Sequence, residues 1–223
     1  MLEGSNGDLG TRGDTSTTIQ AAPRRRRGDP RTRLLEAAIA TVAYRGYERT
    51  TVERMRQVAD VQAAVFEEYF EHKEECFVQA LDGFVESVEL RVVAQLEGDA
   101  AWPERVRSAL AALLESLAEN ADGARVVLVE CLGAGAAASE RHQALLRIFP
   151  ALLEEGRFHS AYPDLLPEGI AEALVGGILG ILHRRALEDR TGELPRLLGD
   201  LAYFVLLPYL GHHRAIVAAY AKR

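Results

Sequence analysis

Residues 31–77 read RTRLLEAAIATVAYRGYERTTVERMRQVADVQAAVFEEYFEHKEECF. Leu34, Leu35, Ala38, Ile39 and Val42 recur at the spacing of one helix face, and Gly46 suits the cap that stops the helix. Thr50 followed by Glu53 forms a capping box that opens a second helix, with Val52, Met55 and Ala59 as its apolar stripe and an end near Asp60. A third, short helix turns Val65, Phe66, Tyr69 and Phe70 inward. A fourth begins near His72, where Glu74 and Glu75 favour the positive end of the helix dipole. Phe77, Leu81, Phe84 and Val88 carry its stripe toward Leu96. Short helices joined by tight turns, with a basic arm in front, are the pattern of a helix-turn-helix reader.

Ahead of this unit the chain changes character. Met1–Gln20 is rich in Gly, Ser, Thr and Asp, lacks apolar periodicity, and is expected to be disordered. Then come Arg24, Arg25, Arg26 and Arg27, followed by Arg31 and Arg33, with Asp29 as the single acid among them. Behind the unit, Gly98–Trp102 is a break and Pro103 a good first helical residue. Helices are expected over about 103–120, 123–138, 139–159 (kinked at Pro150), 167–187 and 194–207, with a short one after Gly211. The expected fold is all-α. It has an N-terminal arm (1–30), a three-helix helix-turn-helix domain (31–76) and a larger helical domain (77–223) for ligand binding and dimerisation.

Composition narrows the function. Across 223 residues the net charge is −7 and hydrophobic residues make up 48%, so there is ample material for a core but a wholly electrostatic nucleic-acid binder is disfavoured. The two cysteines, Cys76 and Cys131, are too few for a disulfide framework, and Met1–Gln20 is too polar for a secretory signal. The apolar runs at 173–182 and 201–211 fall short of the about 18 residues that a spanning helix needs. A cytoplasmic protein without a membrane segment is expected. Adjacent His212 and His213 fall on different helix faces, Gly133 and Gly135 follow no strand, and no cysteine–histidine cluster has zinc spacing. Neither a metal, a cofactor nor a catalytic residue is therefore assigned. An all-α enzyme would need a polar constellation that the sequence does not offer.

Residues 31–77 resemble the DNA-binding domain of tetracycline-repressor-like (TetR/AcrR) transcriptional regulators. The resemblance rests on Gly46-Tyr47, Thr50-Thr51-Val52, Ala59-Asp60-Val61-Gln62, Glu67-Glu68-Tyr69-Phe70 and Lys73-Glu74, in order and spacing. It implies a ligand-responsive repressor that binds a palindromic operator in double-stranded DNA as a homodimer and answers to an apolar small molecule. Carried onto this chain, the DNA contacts would come from Thr50, Thr51, Gln62, Ala63, Ala64, Glu67, Tyr69 and Lys73, joined by the arm Arg24–Arg27.

The departures from the family pattern carry information. Asp60 stands where the family's turn usually has Gly, and Asp tolerates the left-handed conformation better than most residues. Gln62 replaces a Ser, Ala63 a frequent Lys or Arg, and Glu67 a phosphate-contacting Tyr. Residues 34–82 carry five basic side chains against ten acidic ones, a poor surface for a polyanion. Two readings stand. In one, the arginine arm supplies the missing charge from the minor groove, and a Glu accepts from a cytosine amino group. In the other, the DNA reader has degenerated and the fold serves as a ligand- or protein-binding module.

In the larger domain, ALVGGILGILHRRAL at 173–187 is apolar nearly all round, and Gly176, Gly177 and Gly180 leave one side bare. With Leu198, Leu201 and Val205 it is expected to form a two-fold, four-helix dimer interface. The effector pocket is expected among Phe84, Trp102, Val127, Glu130, Cys131, Phe149 and Tyr162.

Overall fold

The computed structural model describes residues 28–221, and every regular element among them is helical. The helices are α1 (Pro30–Arg45), α2 (Val52–Ala59), α3 (Ala63–Tyr69), α4 (Lys73–Val93), α5 (Trp102–Glu119), α6 (Ala121–Leu128), α7 (Ala136–Glu154), α8 (Ile170–Leu187) and α9 (Leu198–Ala219). Short 3-10 turns fill the connections at 130–133, 155–159, 163–165 and 191–197. The Arg24–Arg27 run lies outside the described residues.

The first four helices close around Leu34, Val42, Met55, Phe66, Phe70, Cys76 and Phe77, all buried. At about 1.5–3 kcal/mol for each large apolar side chain, this small core suffices to orient short helices that are marginal alone. The same α4 then runs on into the larger domain, where Val85, Val88 and Val92 are buried with Leu110, Leu114 and Leu117 of α5. The 21-residue α4 thus joins the reader helices to the later ones in one continuous core, and α1 also packs against α6. An ion pair from Arg141 of α7 to Asp82 (2.5 Å) adds a polar strap across α4.

Several expectations shift: the helices expected over 139–159 and 194–207 are α7 (Ala136–Glu154) and α9 (Leu198–Ala219), with 155–159 and 191–197 in 3-10 turns. Helix α2 is capped by Thr51, which accepts from the Arg54 amide (3.2 Å), one residue later than the expected Thr50 box. The stretch 123–138 is not one helix, because α6 stops at Leu128 and Gly135, with φ of 101°, takes a conformation only glycine adopts freely before α7 starts. Helix α5 starts at Trp102 rather than Pro103, so the proline occupies the second helical position. The expected closing helix is present: Gly211, at φ 71° and ψ 167°, interrupts α9 and leaves a short helical segment behind it.

Candidate nucleic-acid interface

The interface is built from how α1 holds the turn between α2 and α3. Asp29 caps α1 by accepting from the Thr32 amide (2.8 Å), a bond that lowers the pKa of its carboxyl. One turn on, the Arg33 guanidinium donates to the carbonyls of Ala59 (3.0 Å) and Asp60 (3.2 Å). Those carbonyls end α2 and would otherwise lack partners within the helix. Asp60 sits at φ 56° and ψ 54°, the left-handed conformation expected of it, and its amide bonds back to Gln57. The turn delivers Gln62 in extended conformation at the start of α3.

On α3, Phe66 is buried and Val65 and Tyr69 are half-buried, which anchors the helix by one side. Gln62, Ala63, Ala64, Glu67 and Glu68 all face solvent. Thr51 is exposed beside them, whereas Thr50 is buried and its hydroxyl donates to the Gly46 carbonyl (2.9 Å). Lys73 is drawn inward. Its ammonium donates to the Tyr47 carbonyl (3.0 Å) and lies 4.0 Å from the centre of the Tyr47 ring. Of the eight candidate contacts carried over on the resemblance, Thr51, Gln62, Ala63, Ala64 and Glu67 therefore share an outward surface. Thr50 and Lys73 are engaged in holding the first turn, and Tyr69 is half-covered.

The charge on this surface is negative. Arg56 is paired with Glu53 (2.9 Å) on α2, while the exposed Arg54, hydrogen-bonded to the neutral Gln57 amide (3.2 Å), keeps its charge at the edge of this surface. Glu71 and Glu75 close the entry to α4, the Glu71 amide donating to the Glu75 carboxylate (2.9 Å). Arg33 is the residue that sequence reasoning missed, because a run of arginines reads as one solvated block. Its separate signal is the spacing from the Asp29 cap, which places it within the first turn of α1 and so under α2.

The solved structures similar to this chain share its architecture. The fatty acid degradation regulator FadR from Bacillus halodurans matches with a TM-score of 0.71 at 17% identity, covering 82% of this chain and 97% of that one. The ketosteroid regulator KstR2 of Mycobacterium tuberculosis matches with 0.63 at 21%, covering 79% and 92%. FadR from Bacillus subtilis, solved in complex with stearoyl-CoA, matches with 0.59 at 19%, covering 82% and 99%. The fold is that of the TetR-family transcriptional regulators. No protein-family model and no curated protein matches the chain.

In the TetR-like fold the larger domain distributes the expected pocket residues over several places. Phe84 packs its ring against Gly123, where an added Cβ would stand 2.5 Å from it. Trp102 is buried, donates to the Leu152 carbonyl (2.8 Å) and stacks on His159 at 5.2 Å. Val127 and Cys131 are fully buried, and burial pushes the Cys131 thiol pKa up to about 12. Glu130 stands at the seam with the reader, 3.8 Å from Arg125, and lines a cleft of about 420 Å³ together with Arg45 and Arg49. Tyr162 is 69% exposed in the loop before α8. Phe149 alone of the seven lines the apolar cavity between α5, α7 and α8, with Leu113, Leu117, Val175, Ile178 and Leu179 among its other walls. That cavity holds about 30 Å³.

The expected dimer residues also separate. Gly176, Gly177 and Gly180 lie on an exposed face of α8, and an added Cβ at Gly176 or Gly180 would meet nothing within 4 Å. Leu201 and Val205, at 3% and 2% exposure, turn into the protomer's own core, and Leu198 is half-buried. Before Gly211, the large apolar residue of α9 that faces outward is instead Phe204, 42% exposed, whose ring lies against Gly177. The register of α9 is set by α5, against which it packs more extensively than against α8.

Proposed function

We propose that the protein is a ligand-responsive transcriptional repressor that binds a palindromic operator as a homodimer. The observation that carries this reading is the outward face of α3, presented on a turn that Asp60 and Arg33 hold in place. A short helix anchored by one side on a compact core and bare on the other is suited to the major groove. The face of α3 is acidic, so in this reading Arg24–Arg27 supply most of the general affinity for phosphate, beside the exposed Arg49 and Arg54. The bare strip of α8 beside Phe204 supports pairing with a second copy, which sets two recognition helices roughly 34 Å apart for two half-sites.

The effector in this reading is apolar. Among the described residues the walls of the cavity between α5, α7 and α8 are apolar side chains, and it has room for about one water. Drug-sized ligands need ~300–1,000 Å³, so binding must displace α7 and α8 side chains. The named functions of the similar structures, fatty acid and ketosteroid regulation, support an aliphatic or polycyclic effector. Helix α4 shares a core with both halves of the molecule and is strapped to α7 by Asp82–Arg141, so expansion under α7 is transmitted to the reader. Coupling of about 1–3 kcal/mol is typical of such linkage.

Fluorescence anisotropy on DNA from upstream of the gene, against random DNA of equal length at two salt concentrations, tests this. The regulator prefers the upstream fragment and releases it as salt rises. Replacing Arg24–Arg27 by Ala together flattens the salt slope by roughly 0.9 for each phosphate that the arm neutralises. An unchanged slope removes the arm from the interface. Equal weak binding to both fragments favours the second reading, a ligand-binding module with a degenerate reader, for which the exposed pair Glu67 and Glu68 speaks.

A further inference from the structure

The exposed face of α3 contains no lysine, arginine or asparagine. Its side chains are Gln62, Ala63, Ala64, Glu67 and Glu68, so apart from the one Gln62 amide it offers hydrogen-bond acceptors and methyl groups. Of the cations of α2, Arg56 is paired with Glu53 and Arg54 leans along its own helix to Gln57, and Lys73 is held by Tyr47. Neither Glu67 nor Glu68 has a hydrogen-bond or ion-pair partner among the described residues. Both carboxylates are therefore free to meet whatever the helix docks on.

Guanine shows only acceptors, N7 and O6, in the major groove and is read by Arg or Lys. A carboxylate facing it meets lone pairs and no proton. Adenine offers its N6 amino group, but N7 stands beside it as a second acceptor and opposes the other carboxylate oxygen. Cytosine offers the N4 amino donor without that neighbour. Glu67 lies one turn beyond Ala63 on the same side of α3, where Ala63 presents only a methyl group and Glu67 is the longer, polar side chain. Glu68, about 100° further round, cannot address the same base.

We propose that Glu67 is a specificity-determining residue that selects cytosine in each operator half-site. The departure from the usual reader thus exchanges phosphate affinity for a base contact. This inference rests on the DNA-binding reading above, and its test separates the two.

Full-length protein is used to select duplexes from a pool randomised over both half-sites, and the enriched sequences are measured by anisotropy. Wild-type protein enriches one cytosine per half-site, and replacing that pair lowers affinity about tenfold. Glu67→Gln moves the preference at that position to adenine. Glu67→Ala removes the preference there and raises affinity for random DNA, because a repulsive charge is gone. Because Glu67 is exposed, both variants are expected to melt at the wild-type temperature. Variants that keep the wild-type base preference overturn the assignment while leaving the regulator reading intact. A wild-type protein that enriches nothing overturns both, and does so before any variant is compared.

Discussion

Arg33 belongs by sequence to an arginine run, yet its guanidinium is taken up by the carbonyls of Ala59 and Asp60. Hydrogen bonds from a charged donor to otherwise unpaired helix-end carbonyls contribute about 1.5–3 kcal/mol. Arg33→Ala is accordingly expected to lower the urea midpoint by an amount equivalent to about 1–3 kcal/mol, with Arg33→Lys recovering part of it. A decrease under about 0.5 kcal/mol, the scale of an ordinary surface change, would show that the turn holds without this cap. Thr50 and Thr51 make a related point. Adjacent threonines are equivalent as letters, and only the placement of the Gly46 carbonyl decides that Thr50 turns in while Thr51 caps α2 and stays exposed.

At the scale of elements, the reader was legible and the break between α6 and α7 was not. Helices α1 to α4 carry their signals within a turn of each boundary: Asp29, Gly46, Asp60 and His72 each stand at a cap position. Residues 129–135 hold Gly133, Ala134 and Gly135, which permit either a continuous helix or a break. Helix α6 is placed by a close approach instead. Gly123 admits the Phe84 ring of α4, with an added Cβ standing 2.5 to 2.9 Å from three ring atoms. Gly123→Ala, which would raise the propensity of an isolated helix, is therefore expected to destabilise the protein by about 1–3 kcal/mol through overpacking. Thermal melting that shows a gain in stability would mean that α4 and α6 separate easily. That outcome would weaken α4 as a rigid transmitter.

For the whole molecule, the proposed pairing surface is open where the protomer itself makes no demand. An added Cβ at Gly180 meets nothing within 4 Å in its own chain, and replacing a helical glycine adds up to about 1 kcal/mol of helix propensity. Gly180→Glu is expected to leave the folded protomer at least as stable and to convert the dimer to monomer in sedimentation velocity, since two charges would be buried at the two-fold axis. An intact dimer would take this face of α8 out of the interface. Gly177 is the less clean probe, because a side chain there meets the protomer's own Phe204 at 3.2 Å.

What the sequence by itself determined is the all-helical class, the order of the reader helices, the Gly46 stop of α1, the left-handed Asp60 turn and the acidic outward face of α3. These follow from signals acting over one helical turn, where spacing, φ preference and dipole favour one local outcome. Only the tertiary structure decided that Lys73 folds back on Tyr47, that Glu130 stands at the seam rather than in an apolar pocket, and that Leu201 and Val205 face inward while Phe204 faces out. The reason is separation along the chain. Arg33 meets a carbonyl 26 residues away and Trp102 one 50 residues away. Which side of an apolar helix is buried depends on neighbours that its own periodicity does not name. Helix α9 is apolar on several faces, and contact with α5, joined by the turns at 155–159 and 191–197 and by α8, selects the one turned inward.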